Sequence, residues 1–218
     1  MSRTPRLAAF IAAGAAAVLA LTACASGSTD ASDGDAAGIG PVTEGKLTIA
    51  TGEFAYEPWV VGDAPESGEG FEAAVAYAVA EELGYAAEDV VWVRTSFDAA
   101  IAPGPKDFDL NLQQFSITEE RAQVVDFSSP YYVTTQAVVA ASGTPAAEAT
   151  SIAELQDVVL GVQSGTTSLQ AVEELIAPNT DVQVFNTNDD AVAALQNGLI
   201  DALVVDLPTA FYVRDAQL

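Results

Sequence analysis

Apolar residues along this chain fall into short runs of strand length separated by stretches with helical spacing. Residues 47–51 form the first run, continuous and partly β-branched, which predicts a buried strand. After a loop rich in Gly, Pro and Glu, apolar positions recur at helical spacing over 71–83 and stop at Gly84, which predicts a helix with a glycine at its end. Residues 90–94 predict a second strand, 97–102 a short helix stopped by Pro103-Gly104-Pro105, and 108–112 a third strand. An extended stretch follows over 135–140, and then the order repeats. Residues 158–163, 182–185 and 202–205 read as strands, with helices over 168–176, closed by Pro178, and 189–196, closed by Gly198. The two units also echo in detail: Phe97-Asp98-Ala99-Ala100-Ile101 precedes Asp109 much as Asp190-Ala191-Val192-Ala193-Ala194-Leu195 precedes Asp201. Strands alternating with helices imply parallel sheets. The expected class is α/β, with two lobes joined by an extended connection and a cleft between them, where ligands of such folds commonly sit.

Ahead of the first strand the pattern changes. Residues 1–23 carry Arg3 and Arg6, an alanine-rich apolar run over 7–21, and no acid before Asp30, the pattern of a secretory signal peptide. The run falls short of the roughly 20 apolar residues that a membrane-crossing helix needs. The single cysteine, Cys24, directly follows Leu21-Thr22-Ala23. That tetrapeptide resembles the bacterial lipobox, which implies a lipid on Cys24 as the first mature residue and attachment to the outer face of the cell membrane. An ordinary cleaved signal with an incidental thiol is the alternative. Residues 24–45, rich in Ser, Gly, Asp, Ala and Thr, have the composition of a flexible tether. The expected organisation is a signal peptide (1–23), a tether (24–45), a first lobe (46–134), a hinge connection (135–141) and a second lobe (142–218).

Composition narrows the chemistry. Half of the 218 residues are apolar, enough to bury the cores of two small lobes. The chain has 31 acidic and 7 basic residues, no histidine, and a pI near 4.1. Loss of Arg3 and Arg6 with the signal leaves five basic residues and a net charge of −26. Such a surface repels polyphosphate, which disfavours nucleic acid as a partner. The missing histidine removes Ser-His-Asp and Cys-His nucleophile pairs, histidine metal sites and the usual general base near neutral pH. Neither a metal nor a cofactor is expected, and the acidity by itself implies no more than a well-solvated surface.

Four separated motifs carry a family resemblance: Tyr56-Glu57-Pro58-Trp59; Gly70-Phe71-Glu72; Phe115-Ser116-Ile117-Thr118-Glu119-Glu120-Arg121 with Asp126-Phe127-Ser128-Ser129-Pro130-Tyr131-Tyr132; and Gly161-Val162-Gln163-Ser164-Gly165-Thr166-Thr167, answered by residues 198–206. In this order and spacing they are similar to the family 3 extracellular solute-binding proteins, the polar amino-acid receptors of ABC importers. The resemblance implies a type II periplasmic-binding-protein-like fold, a monomer that takes a polar or basic amino acid between its lobes, and an ABC permease as partner. An enzyme of lyase or dehydratase type, or a sensing module, on the same fold is the alternative. Relatives continue for several tens of residues past this point, through a return strand to the first lobe, so the first lobe is expected to be incomplete.

An amino acid at neutral pH presents a carboxylate and an ammonium close together. Arg121 is the best carboxylate donor, since a guanidinium forms two parallel hydrogen bonds; a surface ion pair with Glu119, Glu120 or Asp126 is its other possible role. Thr166 and Thr167 stand where a strand enters a helix and unpaired amides face anions, or they simply cap that helix. Asp206, after the last strand, matches the family's ammonium-binding carboxylate and, two residues before Pro208, is equally a good helix cap. The resemblance further implies Tyr56 and Phe97 as rings over the ligand, Gln113, Gln114 and Ser116 as lining in the first lobe, and Gln163 in the second. The glutamines depart from the family's small hydroxyl residues and either suit a neutral polar or guanidinium-bearing ligand or face away into water. Glu53, offset by one residue from an aspartate of cation-selective relatives, is a possible partner for a basic side chain. Trp59 reads as a core aromatic.

Overall fold

Strand β1 (Leu47–Gly52) is buried along its whole length because it is the middle of three strands. The computed structural model describes residues 40–218; the expected signal peptide (1–23), Cys24 and the expected tether up to residue 39 lie outside the described residues. β1 pairs in parallel with β2 (Val90–Thr95) on one side and with β3 (Leu110–Asn111) on the other. Helix α1 (Phe71–Glu82) packs on this sheet, and Ala76 and Ala80 join Leu47, Ile49 and Leu112 in its core. The bulky residues of the predicted helical stripe face outward: Phe71, Val79 and Leu83 are exposed, while the alanine face, which lets helix and sheet approach closely, is buried. The five-residue helix α2 (Phe97–Ile101) begins at Ser96, whose hydroxyl accepts from the Ala99 N–H.

Residues 40–45, read as the end of a tether, turn back against the body. The Val42 N–H donates to Asp109 Oδ1 at 2.7 Å. The stretch 135–141, read as a hinge connection, contains the edge strand β4 (Gln136–Ala140) of the second sheet. That sheet has the order β4, β7 (Ala202–Asp206), β5 (Leu160–Gln163), β6 (Gln183–Phe185). Three strands are parallel and β4 runs antiparallel to β7. Along β7, Leu203 and Val205 point into a core with α5 (Asn188–Gln196) and α6 (Leu207–Tyr212), while Ala202 and Val204 point into the opposite core. The second of these cores is covered by α3 (Pro145–Glu148), through Ala146, and by the continuation of α4 (Thr167–Ala171), a π-type turn over Val172–Ile176 that stops at Ala177 in the left-handed region, just before Pro178.

The sequence echo has a structural counterpart. Asp109, ahead of β3, accepts the Thr48 N–H at 2.7 Å and donates its own N–H to the Thr48 carbonyl at 2.8 Å. Asp201, ahead of β7, does the same with Val159, at 2.8 Å in both directions. In each half an aspartate thus pins the start of the neighbouring parallel strand. The α/β class with two mainly parallel sheets flanked by helices is as expected.

Candidate functional site

The carboxyl ends of β1, β3, β5 and β7 converge on one cavity of about 180 Å³. Open α/β sheets place ligand sites at this end of their strands, where loops rather than ladders supply the polar groups. All eleven ligand candidates line it: Glu53 and Tyr56 after β1, Phe97 at the start of α2, Gln113, Gln114, Ser116 and Arg121 after β3, Gln163 at the end of β5, Thr166 and Thr167 at the cap and first residue of α4, and Asp206 at the end of β7. Trp59 lies apart, buried in an aromatic cluster with Phe71 and Tyr132.

Arg121 is 7 % exposed and makes no ion pair among the described residues, so the surface pairing with Glu119, Glu120 or Asp126 does not form. Its Nη1 donates to the Ser116 carbonyl and its Nη2 to the Gly165 carbonyl, both at 2.8 Å. One arm of the fork therefore holds the first half and the other the second. Phe97 and Phe115 stack with centroids 4.1 Å apart, and the guanidinium carbon lies 5.5 and 5.2 Å from their centroids. Burial pulls the Arg121 pKa below the ordinary guanidinium value, with the acids Glu120 and Asp206 opposing. The cation persists regardless, given how high its starting value is.

Asp206 stands at the N-cap position of α6 yet makes no side-chain cap bond, and Pro208 in the first turn removes one amide that such a cap could serve. Its Oδ1 accepts from Gln136 Nε2 at 2.7 Å, and Gln136 Oε1 accepts from the buried Ser168 hydroxyl at 2.6 Å. Burial raises the Asp206 pKa, and the Gln136 bond and the Arg121 charge partly offset this. Thr166 does cap its helix: its hydroxyl accepts from the Leu169 N–H at 3.2 Å and donates to the Gln163 carbonyl at 2.7 Å. The Thr167 hydroxyl meets that of Ser116 at 3.2 Å across the cleft.

The remaining candidates divide. The Tyr56 hydroxyl reaches across to the Asp189 carboxylate, and its ring lies 5.6 Å from that of Tyr212. Burial, followed by Asp189, pushes its pKa far up, so it stays a neutral donor. The Gln113 amide is held by Asn111 and the Thr95 carbonyl. The Gln114 amide turns away from the cavity to bond Glu72. Glu53 is exposed at the rim. Sequence reasoning missed Gln136, Ser168 and Asp189. Gln136 and Ser168 are polar residues far from Asp206 in the chain, and only the antiparallel register Gln136↔Asp206 brings the first of them beside it.

The arrangement offers a buried cation and a carboxylate facing one small cavity, with few other charges, and is suited to grip a zwitterion. Comparison with known proteins agrees in kind. The chain is 36 % identical over 124 residues to a probable histidine-binding protein of Campylobacter jejuni, a match covering 56 % of this chain and 46 % of that protein. It is 29 % identical over 214 residues to a glutamate-binding protein of Corynebacterium efficiens, covering 94 % and 69 %. Among solved structures, an ancestral arginine-binding protein bound to arginine superposes with a TM-score of 0.66 at 31 % identity, covering 79 % of this chain and 75 % of that one. The matched stretch spans about half the length of the first curated relatives. The family description that fits residues 47–206 is the bacterial extracellular solute-binding proteins, family 3, and with its motifs and both sheets in that range the chain belongs to this family.

Proposed function

We propose that this chain captures a free amino acid in the cavity between its two sheets and delivers it to the permease of an ABC importer, performing no chemistry on it. The observation that carries the reading is the pairing of Arg121, a buried cation with no carboxylate partner among the described residues, with Asp206, whose carboxylate faces the same cavity instead of capping its helix. Arg121 would take the α-carboxylate and Asp206 the α-ammonium. A ligand touching both halves stabilises their closure by as much as it prefers the closed arrangement, and a permease can read that change. The names of the relatives support an amino-acid ligand, and they include both basic and acidic ones.

The cation inventory discriminates between these. Lys46 pairs with Asp89 and Arg94 with Asp63, Lys106 donates to the Ala99 carbonyl, and Arg214 pairs with Asp215. Among the described residues Arg121 is the one cation lining the cavity. An acidic side chain would enter without a counter-charge, whereas a polar or basic one meets amides, hydroxyls and, at the rim, Glu53. Thermal denaturation in the presence of each of the twenty amino acids checks this. A ligand at about 100 times its Kd adds about 2.7 kcal/mol, which for a chain of this size raises Tm by about 5–11 °C. Arginine, histidine or glutamine should do so and glutamate should not. A rise with glutamate alone refutes the assignment.

We further propose that the protein is extracytoplasmic and held at the membrane by lipid on Cys24. Cys24→Ala should move the protein from the membrane fraction to the soluble extracytoplasmic fraction. Retention of the variant in the membrane would exclude the lipid as its anchor.

A further inference from the structure

Glu72, in the first turn of α1, is 1 % exposed, and no lysine or arginine among the described residues pairs with it. A carboxyl so buried is costly unless donors surround it, and here three do. The Gln114 N–H donates to Oε1 at 2.9 Å, the Gln114 side-chain amide to Oε2, and the Tyr131 hydroxyl to Oε1 at 2.5 Å. Two of the three come from one residue. Gln114 has φ +55, in the left-handed region, which a side chain other than glycine or asparagine seldom adopts. The chain reverses there directly ahead of Phe115, which stacks on Phe97, and Ser116, whose carbonyl holds Arg121 Nη1. Tyr131 lies in the segment that leads from the first sheet to the second.

We propose that Glu72 is a positioning residue for ligand capture: by fastening Gln114 in its left-handed turn it aims the Ser116 carbonyl, and through it the Arg121 guanidinium, into the cavity. The proposal rests on the cavity being an amino-acid site. It gives the Gly70-Phe71-Glu72 motif a role at the site although Glu72 does not line the cavity. It also separates geometry from charge, since what Gln114 requires is an acceptor facing its amide, which a neutral amide oxygen also supplies.

Amide hydrogen exchange over residues 113–116 and calorimetric titration with L-arginine test it, on the unmodified chain, Glu72→Gln, Glu72→Ala and Glu72→Ala combined with Gln114→Gly. The Gln114 amide, donated to a buried acceptor, should exchange slowly in the unmodified chain and about tenfold or more faster in Glu72→Ala, with arginine affinity lowered about tenfold. Glu72→Gln keeps an acceptor oxygen and should stay within about threefold. Glycine adopts the left-handed backbone without a Cβ penalty, so the double variant should recover about fivefold of the affinity while its Tm stays low. Glu72→Leu, which fills the space, substitutes if the alanine variant folds poorly. A lowered Tm with no selective change in exchange over 113–116, or no recovery with glycine, overturns the proposal. Failure of the unmodified chain to bind arginine would count against the ligand assignment, and the exchange pattern would still decide the role of Glu72.

Discussion

Arg121→Ala is expected to weaken amino-acid binding, read by calorimetric titration, by roughly 30-fold to several thousand-fold, the 2–5 kcal/mol typical of removing one partner from a desolvated charge pair. A guanidinium carries five N–H donors. Two are used on the Ser116 and Gly165 carbonyls, which fixes the plane of the group and leaves three for a ligand carboxylate. The stacked Phe97 and Phe115 rings keep water from one side of it, so the Coulombic attraction acts in a poorly screened setting. Alanine loses the charge and the interlobe tie together, because the same side chain holds one carbonyl from each half. Arg121→Lys separates the two effects. Lysine keeps the charge but not the planar fork, so an intermediate loss of about tenfold or more is expected. Unchanged affinity in the alanine variant would remove Arg121 from the site.

How much of this was readable beforehand follows from the range of each signal. Continuous apolar runs such as 47–51 announced buried strands because a middle strand of a parallel sheet has two covered faces. The candidates named from the motifs line one cavity because most of them sit at or soon after the carboxyl end of a strand, where local pattern fixes position. Side-chain direction was less legible. The Gln114 amide points to Glu72 and not into the cavity, and no local rule marks an acid on an alanine-rich helix as buried. Periodicity over 71–83 identifies a helix without identifying its buried face: Phe71, Val79 and Leu83 are exposed, and the tighter alanine face makes the contact with the sheet. The stretch 135–141 looked like a connection because nothing within it reveals the antiparallel pairing with 202–206 that makes it an edge strand. Gln136 was invisible as a support for Asp206 on identical grounds, since that partnership is created by sheet register.

Asp206→Asn is expected to weaken binding by about 10- to 150-fold, the 1.5–3 kcal/mol of a hydrogen bond to a charged group. Asparagine preserves the shape and can still accept from Gln136, so the supporting chain through Ser168 persists and the loss isolates the charge felt by the ligand ammonium. The variant also carries a pH signature. Burial holds the Asp206 pKa above the ordinary aspartate value, and the proposed contact with the ligand ammonium needs the ionised form. Affinity of the unmodified protein should therefore fall as pH drops through that raised pKa. The stability contribution has the opposite sign: an acid with a folded pKa above its unfolded one takes up protons preferentially in the fold, so its burial penalty is greatest above the folded pKa and is relieved below it. Acidification thus weakens capture while easing this one strain on the fold. In Asp206→Asn neither trend has a titrating group at this position, and the acid limb of the affinity profile should flatten. Persistence of that limb in the asparagine variant would assign it to another carboxyl and take the ammonium contact away from Asp206.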